Sequence, residues 1–358
     1  MSTISTPTVA CITGASGYVG SAIALLFLQE GHTVRLPFRS QAQIDAWTAA
    51  LPQYKDKMHF VLIKGSLGDD SLFDEAIQGC EVVVHAASPL SFDIKTTAEN
   101  DILKPAVQGT VSVLTGAKKA GCVRSLVLTT SLTAHGDTLE LLGMSKDRLT
   151  VTDETWNLTT YAEACAYGPE QGVFVYFASK SLAERAARDW VEREKPAFTL
   201  AAVAPSTVFG IDTVPGTKSL EDLHSTLRLL LQQLWDKKEF PKRDGRTFIP
   251  ETMISIGDVA KAHVAAALNP SISNGHRYPL IGCRCDWPHI VKIMVERQPE
   301  LAKHLPPVPE TLEEPLSSYD FVADQVEKAF GFKYEPLESF ISALADQLVE
   351  LAKADGVL

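Results

Sequence analysis

Short, almost continuously apolar runs mark the first part of the chain, at 8–13, 32–38, 59–63, 81–87, 125–130 and 198–204. They do not alternate between apolar and polar positions, which is the mark of strands covered on both faces. Between them, apolar positions fall at helical spacing and predict helices over 18–28, 40–51, 71–78, 102–120 and 177–194. Strands that alternate with helices join by right-handed crossovers, so the pattern predicts an α/β fold with a doubly wound parallel sheet. Pro205 closes the last run. Beyond it, polar, proline-bearing stretches at 241–246 and 306–310 break the rhythm, and a helix predicted over 340–353 stands apart from any strand. The expected division is therefore a dinucleotide-type sheet domain at 1–204, with about 252–268 returning to it. A smaller C-terminal substrate lobe, 205–251 and 269–358, would cover the carboxyl ends of the strands, where ligands bind in such folds.

Composition narrows the partners. Asp and Glu outnumber Lys and Arg by 44 to 33 in a chain of 358 residues, and the resulting net charge of -11 repels polyanions. Nucleic acid and anionic membrane are accordingly not expected as partners. The opening residues 1–7 carry neither the basic stretch nor the apolar centre of a signal peptide, and no apolar run approaches the length of a membrane span; the expectation is a soluble, cytoplasmic protein. Cys11, Cys80, Cys122 and Cys165 are scattered and suit reduced thiols, while Cys283 and Cys285 would point to opposite faces of a strand. No metal site is expected.

The first strand runs directly into Gly14-x-x-Gly17-x-x-Gly20 and then a helix. Gly14 permits a tight strand exit, Gly17 lets backbone approach a pyrophosphate, and Gly20 lets the helix sit close against the strand. Free N–H groups at the helix start, around Ser16, Tyr18 and Val19, would face the anion. With its flanking strand and helix, this is a Rossmann-type nucleotide-binding turn rather than an ordinary glycine turn. The second strand ends in Arg39-Ser40, with no carboxylate to accept ribose hydroxyls. A guanidinium offers a planar fork to a 2′-phosphate, so Arg39 argues for NADP(H) over NAD(H), assisted by Ser40 and Arg35. The competing reading is an arginine solvated at a strand end.

Only one tyrosine, Tyr176, stands four residues before a lysine, Lys180. One helical turn puts both side chains on one face. A fixed ammonium nearby lowers a phenol's pKa from ~10 and makes Tyr176 a usable proton donor or acceptor. The spacing alone also fits a solvated helix face. Ser131 adds a hydroxyl at the carboxyl end of the strand 125–130, where a nicotinamide would lie, although such a position also suits a turn hydroxyl. The three together favour a site. Asp258, ahead of an apolar helix, reads as an N-cap without a chemical role. Leu231, Trp235 and Phe240 read as core rather than as a lid.

Thr13-Gly14-x-x-Gly17-x-x-Gly20, Ser131 and Tyr176-x-x-x-Lys180 together resemble an extended short-chain dehydrogenase/reductase. Val34-x-x-x-x-Arg39, the stretch His85-Ala86-Ala87-Ser88-Pro89, the run 180–187 and Asp258-Val259-Ala260-Lys261-Ala262-His263 are similar to the dihydroflavonol reductase and cinnamoyl-CoA reductase branch. Glu154-Thr155-Trp156-Asn157 brings the likeness nearer to its fungal NADPH-dependent carbonyl and methylglyoxal reductases. The resemblance covers about 8–268. It implies that Tyr176 protonates a carbonyl oxygen while NADPH delivers hydride, that Lys180 holds the nicotinamide ribose, that Ser131 orients the carbonyl and that Arg39 takes the 2′-phosphate. It also implies that Pro205 and Val208, with Ser206 and Thr207 between them, lie along the nicotinamide and that Ala86, Ala87 and Ser88 pass near its ribose. Two departures stand out: Ser66-Leu67 replaces an Asp-Leu pair that meets adenine, and Thr129-Thr130-Ser131 replaces a serine-richer exit, with Thr129 on the cofactor side.

The expected protein is an NADPH-dependent reductase of ketones and aldehydes, a monomer or homodimer acting on a small-molecule carbonyl substrate. Pocket shape would fall to 89–95, 132–175 and 206–250. A hydroxysteroid dehydrogenase, or a sugar epimerase or dehydratase, would use the same scaffold. A non-catalytic NADP(H) sensor would not need the tyrosine–lysine pair.

Overall fold

The computed structural model describes residues 3–4, 7–89, 94–137, 141–142, 148–242, 250–315 and 317–358. Of the loops expected to shape the pocket, 90–93, 138–140, 143–147 and 243–249 lie outside the described residues, as do part of the opening 1–7 and most of the 241–246 stretch.

The strands in chain order are β1 (Val9–Thr13), β2 (Thr33–Phe38), β3 (Met58–Leu62), β4 (Val82–His85), β5 (Ser125–Thr129) and β6 (Thr150–Val151). They continue with β7 (Thr199–Pro205), β8 (Thr207–Phe209), β9 (Thr252–Ser255), β10 (Arg277–Leu280), β11 (Cys283–Arg284) and β12 (Asp320–Phe321). Seven of them form one parallel sheet in the order β10-β7-β5-β4-β1-β2-β3. The chain leaves β1 toward β2 and β3, then returns to place β4 on the other side. That reversal opens a crevice at the carboxyl ends of β1 and β4.

The apolar runs do not alternate with polar residues because each strand feeds two cores. Ala10, Ile12, Val82, Val84, Val127, Ala201 and Val203 point to one, while Cys11, Val83, Leu126, Leu128 and Leu200 point to the other. Helices Tyr18–Gln29 and Ile256–Leu268 cover the first face, and helices Lys104–Ala120 and Gly172–Glu194 the second.

Residues 269–358, expected in the second lobe, include β10, which is the edge strand of the large sheet. Its edge position tolerates Pro279. Its Arg277 is buried because the Glu184 carboxylate meets the guanidinium at 2.7 Å and the Trp156 ring lies 3.5 Å beneath it. The carbonyls of Asp153, Thr155 and Ala134 take further N–H groups, so the charge is fully engaged. Conversely, β9, expected with the sheet domain, joins β8 and β11 in a separate three-stranded sheet. Helix Leu337–Ala354 packs on helix Trp287–Arg297 and against β8 and β9.

Asp258 is not the cap of its helix. Ser255 is, accepting the Asp258 N–H at 2.9 Å, while the buried Asp258 carboxylate holds Lys261 at 3.0 Å and the Glu335 N–H at 2.6 Å.

Candidate active site

The three glycines of the first turn meet different surroundings. Gly14 has φ +76°, and a Cβ there would come within 2.6 Å of the Ala87 nitrogen. At Gly20 a Cβ would strike the Gly14 carbonyl. At Gly17 it would touch only the Gly14 oxygen, at an ordinary 3.5 Å. Gly17 is therefore not required by the fold's own packing, and the space above it opens into a cavity of about 740 Å³.

That cavity lies at the carboxyl ends of the central strands. Gly14, Ser16, Gly17, Tyr18, Val19, Gly20, Arg39, Leu67, Ala86, Ala87, Ser88, Thr129, Pro205 and Val208 all line it. Two expected residues do not. Ser40 caps helix Gln41–Ala50, accepting from the Gln43 N–H at 3.4 Å, and the exposed Ser66 donates its N–H to Asp69 at 2.7 Å. In both cases local turn geometry engages the residue away from the cavity. Arg35 also turns aside, donating to the Gln78 carbonyl. Gln43 lines the cavity instead, its amide oxygen accepting from the Arg39 N–H at 3.1 Å. The spacing Ser40-x-x-Gln43, a helix-start pattern, was the signal that could have found it.

Neighbouring histidines fix two of these positions. The Thr13 hydroxyl meets His85 Nδ1 at 2.8 Å and accepts the Ala87 N–H at 3.3 Å, which anchors the Ala86-Ala87-Ser88 turn. Burial, with Lys180 adding to it, pushes His85 down to about 3, so that ring stays neutral. Thr129 meets His263 Nε2 at 2.8 Å.

Ser131, Tyr176 and Lys180 converge on one stretch of the cavity wall. Ser131 opens the turn Leu132–Ala134, where its hydroxyl accepts the Thr133 N–H at 3.3 Å, and it also shares a hydrogen bond with the Tyr176 hydroxyl. Ser131 therefore serves as a turn hydroxyl and also faces the tyrosine. Lys180 Nζ stands 5.5 Å from the Tyr176 ring centre and donates to Ser88 Oγ at 2.9 Å. Burial drives the Tyr176 phenol up to about 12, against the pull of the Ser131 hydrogen bond. Burial likewise drives Lys180 down to about 8. The phenol thus stands raised where a lowering by the ammonium was expected: burial is the main cause, and Lys180 Nζ is engaged by Ser88.

Beyond the tyrosine the wall turns apolar, with Leu132, Leu141, Leu142, Phe177 and Leu229. Thr252 and Tyr319 share a hydrogen bond of 2.6 Å there, and Glu251 accepts the Ser318 N–H and hydroxyl at 2.6 and 2.7 Å. Leu231, Trp235 and Phe240 pack against the core. His224, Ser225 and Thr226 also line the cavity, from the start of helix Ser225–Leu234, which no sequence pattern announced. Among the described residues no group of three His, Cys, Asp or Glu could hold a metal ion, and no helix is long and apolar enough to cross a membrane.

Residues 10–280 match the model of the NAD dependent epimerase/dehydratase family. The ketoreductase azaE of Aspergillus niger is 30% identical over 350 residues, covering 95% of this chain and 97% of its own. Cinnamoyl-CoA reductase CAD2 of Medicago truncatula is 29% identical over 98% of both chains. The crystal structure of yeast methylglyoxal/isovaleraldehyde reductase Gre2 complexed with NADPH is similar at a TM-score of 0.83 and 28% identity, covering 98% of this chain and 100% of that one. UDP-glucose 4-epimerase from Bifidobacterium longum, at 19% identity and a TM-score of 0.65 over 98% of this chain and 99% of that one, shares the fold alone.

Proposed function

The chain belongs to the NAD dependent epimerase/dehydratase family, and we propose that within it the protein is an NADPH-dependent reductase of ketones and aldehydes. One observation carries the reading: a phenol hydrogen-bonded to Ser131, with Lys180 under its ring, in a cavity that also opens over Gly17. The relatives named as reductases support this direction of reaction, and the similar NADPH complex supports the coenzyme.

The residues present fit that coenzyme. The open space over Gly17 would take a diphosphate, with the N–H groups of the first turn of helix Tyr18–Gln29 beside it. Arg39, exposed at the cavity rim and in no ion pair among the described residues, would hold the 2′-phosphate. Leu67 would border the adenine, and Ala86, Ala87, Ser88, Thr129, Pro205 and Val208 the nicotinamide half. Bound NADPH supplies a hydride to the carbonyl carbon.

Everything else falls to the chain's own side chains. Ser131 orients the carbonyl oxygen against the Tyr176 hydroxyl. Tyr176, which keeps its proton to about 12, donates it to that oxygen at neutral pH. Lys180, now on Ser88, holds the ribose hydroxyls and keeps the phenol in place. The large sheet with helix 256–268 forms the coenzyme unit, and the small sheet with the C-terminal helices forms the substrate side.

A panel of ketones, aldehydes and diketones followed by NADPH absorbance tests the proposal. Tyr176→Phe is expected to lower kcat by about 10²-fold or more while NADPH binding persists. Turnover comparable to the parent protein would overturn the assignment. Arg39→Ala is expected to raise the KM for NADPH about tenfold and to spare NADH, and an equal effect on both would remove the case for phosphate recognition.

A further inference from the structure

His224 is a cavity-lining residue that the chemistry above does not use. It stands at the N-cap of helix Ser225–Leu234 and is held firmly there. The fully buried Asp212 carboxylate accepts both the His224 backbone N–H, at 3.0 Å, and the ring Nδ1–H, at 2.9 Å. The other Asp212 oxygen accepts the Val214 N–H at 3.0 Å. Asp212 is itself clamped, its backbone N–H and carbonyl both paired with the Gln347 side chain at 2.7 and 2.9 Å. Nε2 of the ring has no partner among the described residues.

The position of this pair is set by the start of the glycine-turn helix. Tyr18, the first residue after Gly17, donates its hydroxyl to the Gly210 carbonyl at 3.0 Å, and Ser21 meets Thr213 at 3.0 Å. The segment 210–213 thus lies along the first turn of helix Tyr18–Gln29. His224, bound to Asp212 in that segment, lines the same cavity as Gly17 and Tyr18. Next to it, Ser225 also lines the cavity and adopts φ +52°, a left-handed backbone that a serine takes only under constraint.

We propose that His224, oriented by Asp212, is a coenzyme-binding residue that donates from Nε2 to the diphosphate of the bound dinucleotide. The inference rests on the proposed NADPH-dependent activity and adds a side chain to its phosphate site. Because Nδ1–H is committed to Asp212, the ring can donate from Nε2 only as the imidazolium. The charged groups around the ring are Asp212 and, from the turn before it, Asp222, whose carboxyl is held low chiefly by its hydrogen bonds to Lys218 and Ser219, with His224 contributing least. The Tyr18 phenol borders Asp212, and burial holds it well above the usual range, so it stays neutral. Arg228 follows one turn along the ring's own helix.

Calorimetric titration of the full chain with NADPH and with 2′-phospho-ADP-ribose tests this. His224→Gln is expected to bind both about tenfold more weakly. His224→Lys, which offers a cationic donor, is expected to regain most of the affinity, a pattern that a merely structural role would not give. Unchanged affinity in His224→Gln would overturn the inference, as would a loss confined to NADPH, which would move the contact to the nicotinamide. Should His224→Gln fail to fold, a His224→Lys protein that folds yet binds both ligands with only about a tenth of the parent's affinity would overturn it. A parent protein that binds neither ligand would instead sink the proposed coenzyme itself.

Discussion

Burial raises the Tyr176 phenol to about 12, and burial likewise lowers Lys180, one helical turn on, to about 8. These opposite shifts divide the labour. A phenol that stays protonated at neutral pH carries the proton a carbonyl oxygen would take, and little of it is the phenolate that would remove one from an alcohol. The lysine, by contrast, changes charge inside the working range. In the proposed function only its ammonium form would draw ribose hydroxyls and steady charge growing on the tyrosine oxygen, so losing its proton would remove both effects. The sign follows: kcat/KM for reduction, which reports groups of the free enzyme, is expected to stay level at neutral pH and to decline as pH rises through about 8. Titrating activity from about pH 6 to about pH 10 checks it. A decline centred near the ordinary lysine value of ~10.4 would mean that water, not protein, surrounds Nζ.

At the scale of the element, three evenly spaced glycines perform unequal tasks. A methyl at Gly20 would strike the Gly14 carbonyl, so Gly20→Ala is expected to destabilise the protein by about 1–3 kcal/mol in chemical denaturation. Gly17 has φ −112°, open to any residue, and only an ordinary contact at 3.5 Å. Gly17→Ala is therefore expected to cost under about 1 kcal/mol, mostly through a poorer helix cap, yet to weaken NADPH binding about tenfold. Equal losses of stability in the two variants would remove the distinction. These glycines were legible because strand, turn and helix are contiguous in sequence, and the long strands because burial on both faces leaves unbroken apolar runs. The strand β10 was not legible. It carries Arg277 and Pro279, and only the tertiary fold brings Glu184 and Trp156 around that arginine. The strands β8, β9, β11 and β12 are too short to show a period. The pairing of Tyr176 with Lys180 could be read from spacing, whereas the direction of the phenol's shift could not, since it depends on what packs around it. Ser40 and Ser66 were misplaced for a related reason: turn geometry, not sequence position, decides which way a short side chain faces.

For the molecule as a whole, the two sheets are not separable along the chain. The path passes from β7 in the large sheet to β8 in the small one, from β9 back over the large sheet through helix Ile256–Leu268, and then from β10 to β11. Helix Leu337–Ala354 holds the segment after β8, through Gln347 on Asp212 and through Asp355, which accepts the Leu220 N–H at 2.8 Å. The cavity is lined from both sides of this arrangement, by Gly17 and Ser88 of one and by Thr252 and Val208 of the other. A ligand filling it adds its binding energy to a single cooperative unit rather than to one lobe. At about a hundredfold excess over Kd that amounts to about 2.7 kcal/mol, enough to raise the melting temperature of a protein this size by roughly 5 °C. NADPH is thus expected to shift one sharp calorimetric transition upward, NADH to shift it less, and Gly17→Val to abolish the shift. Were two transitions to appear, with the coenzyme moving only the earlier or later one, the interleaved path of the chain would not couple the sheets, and the cavity would belong to one of them alone.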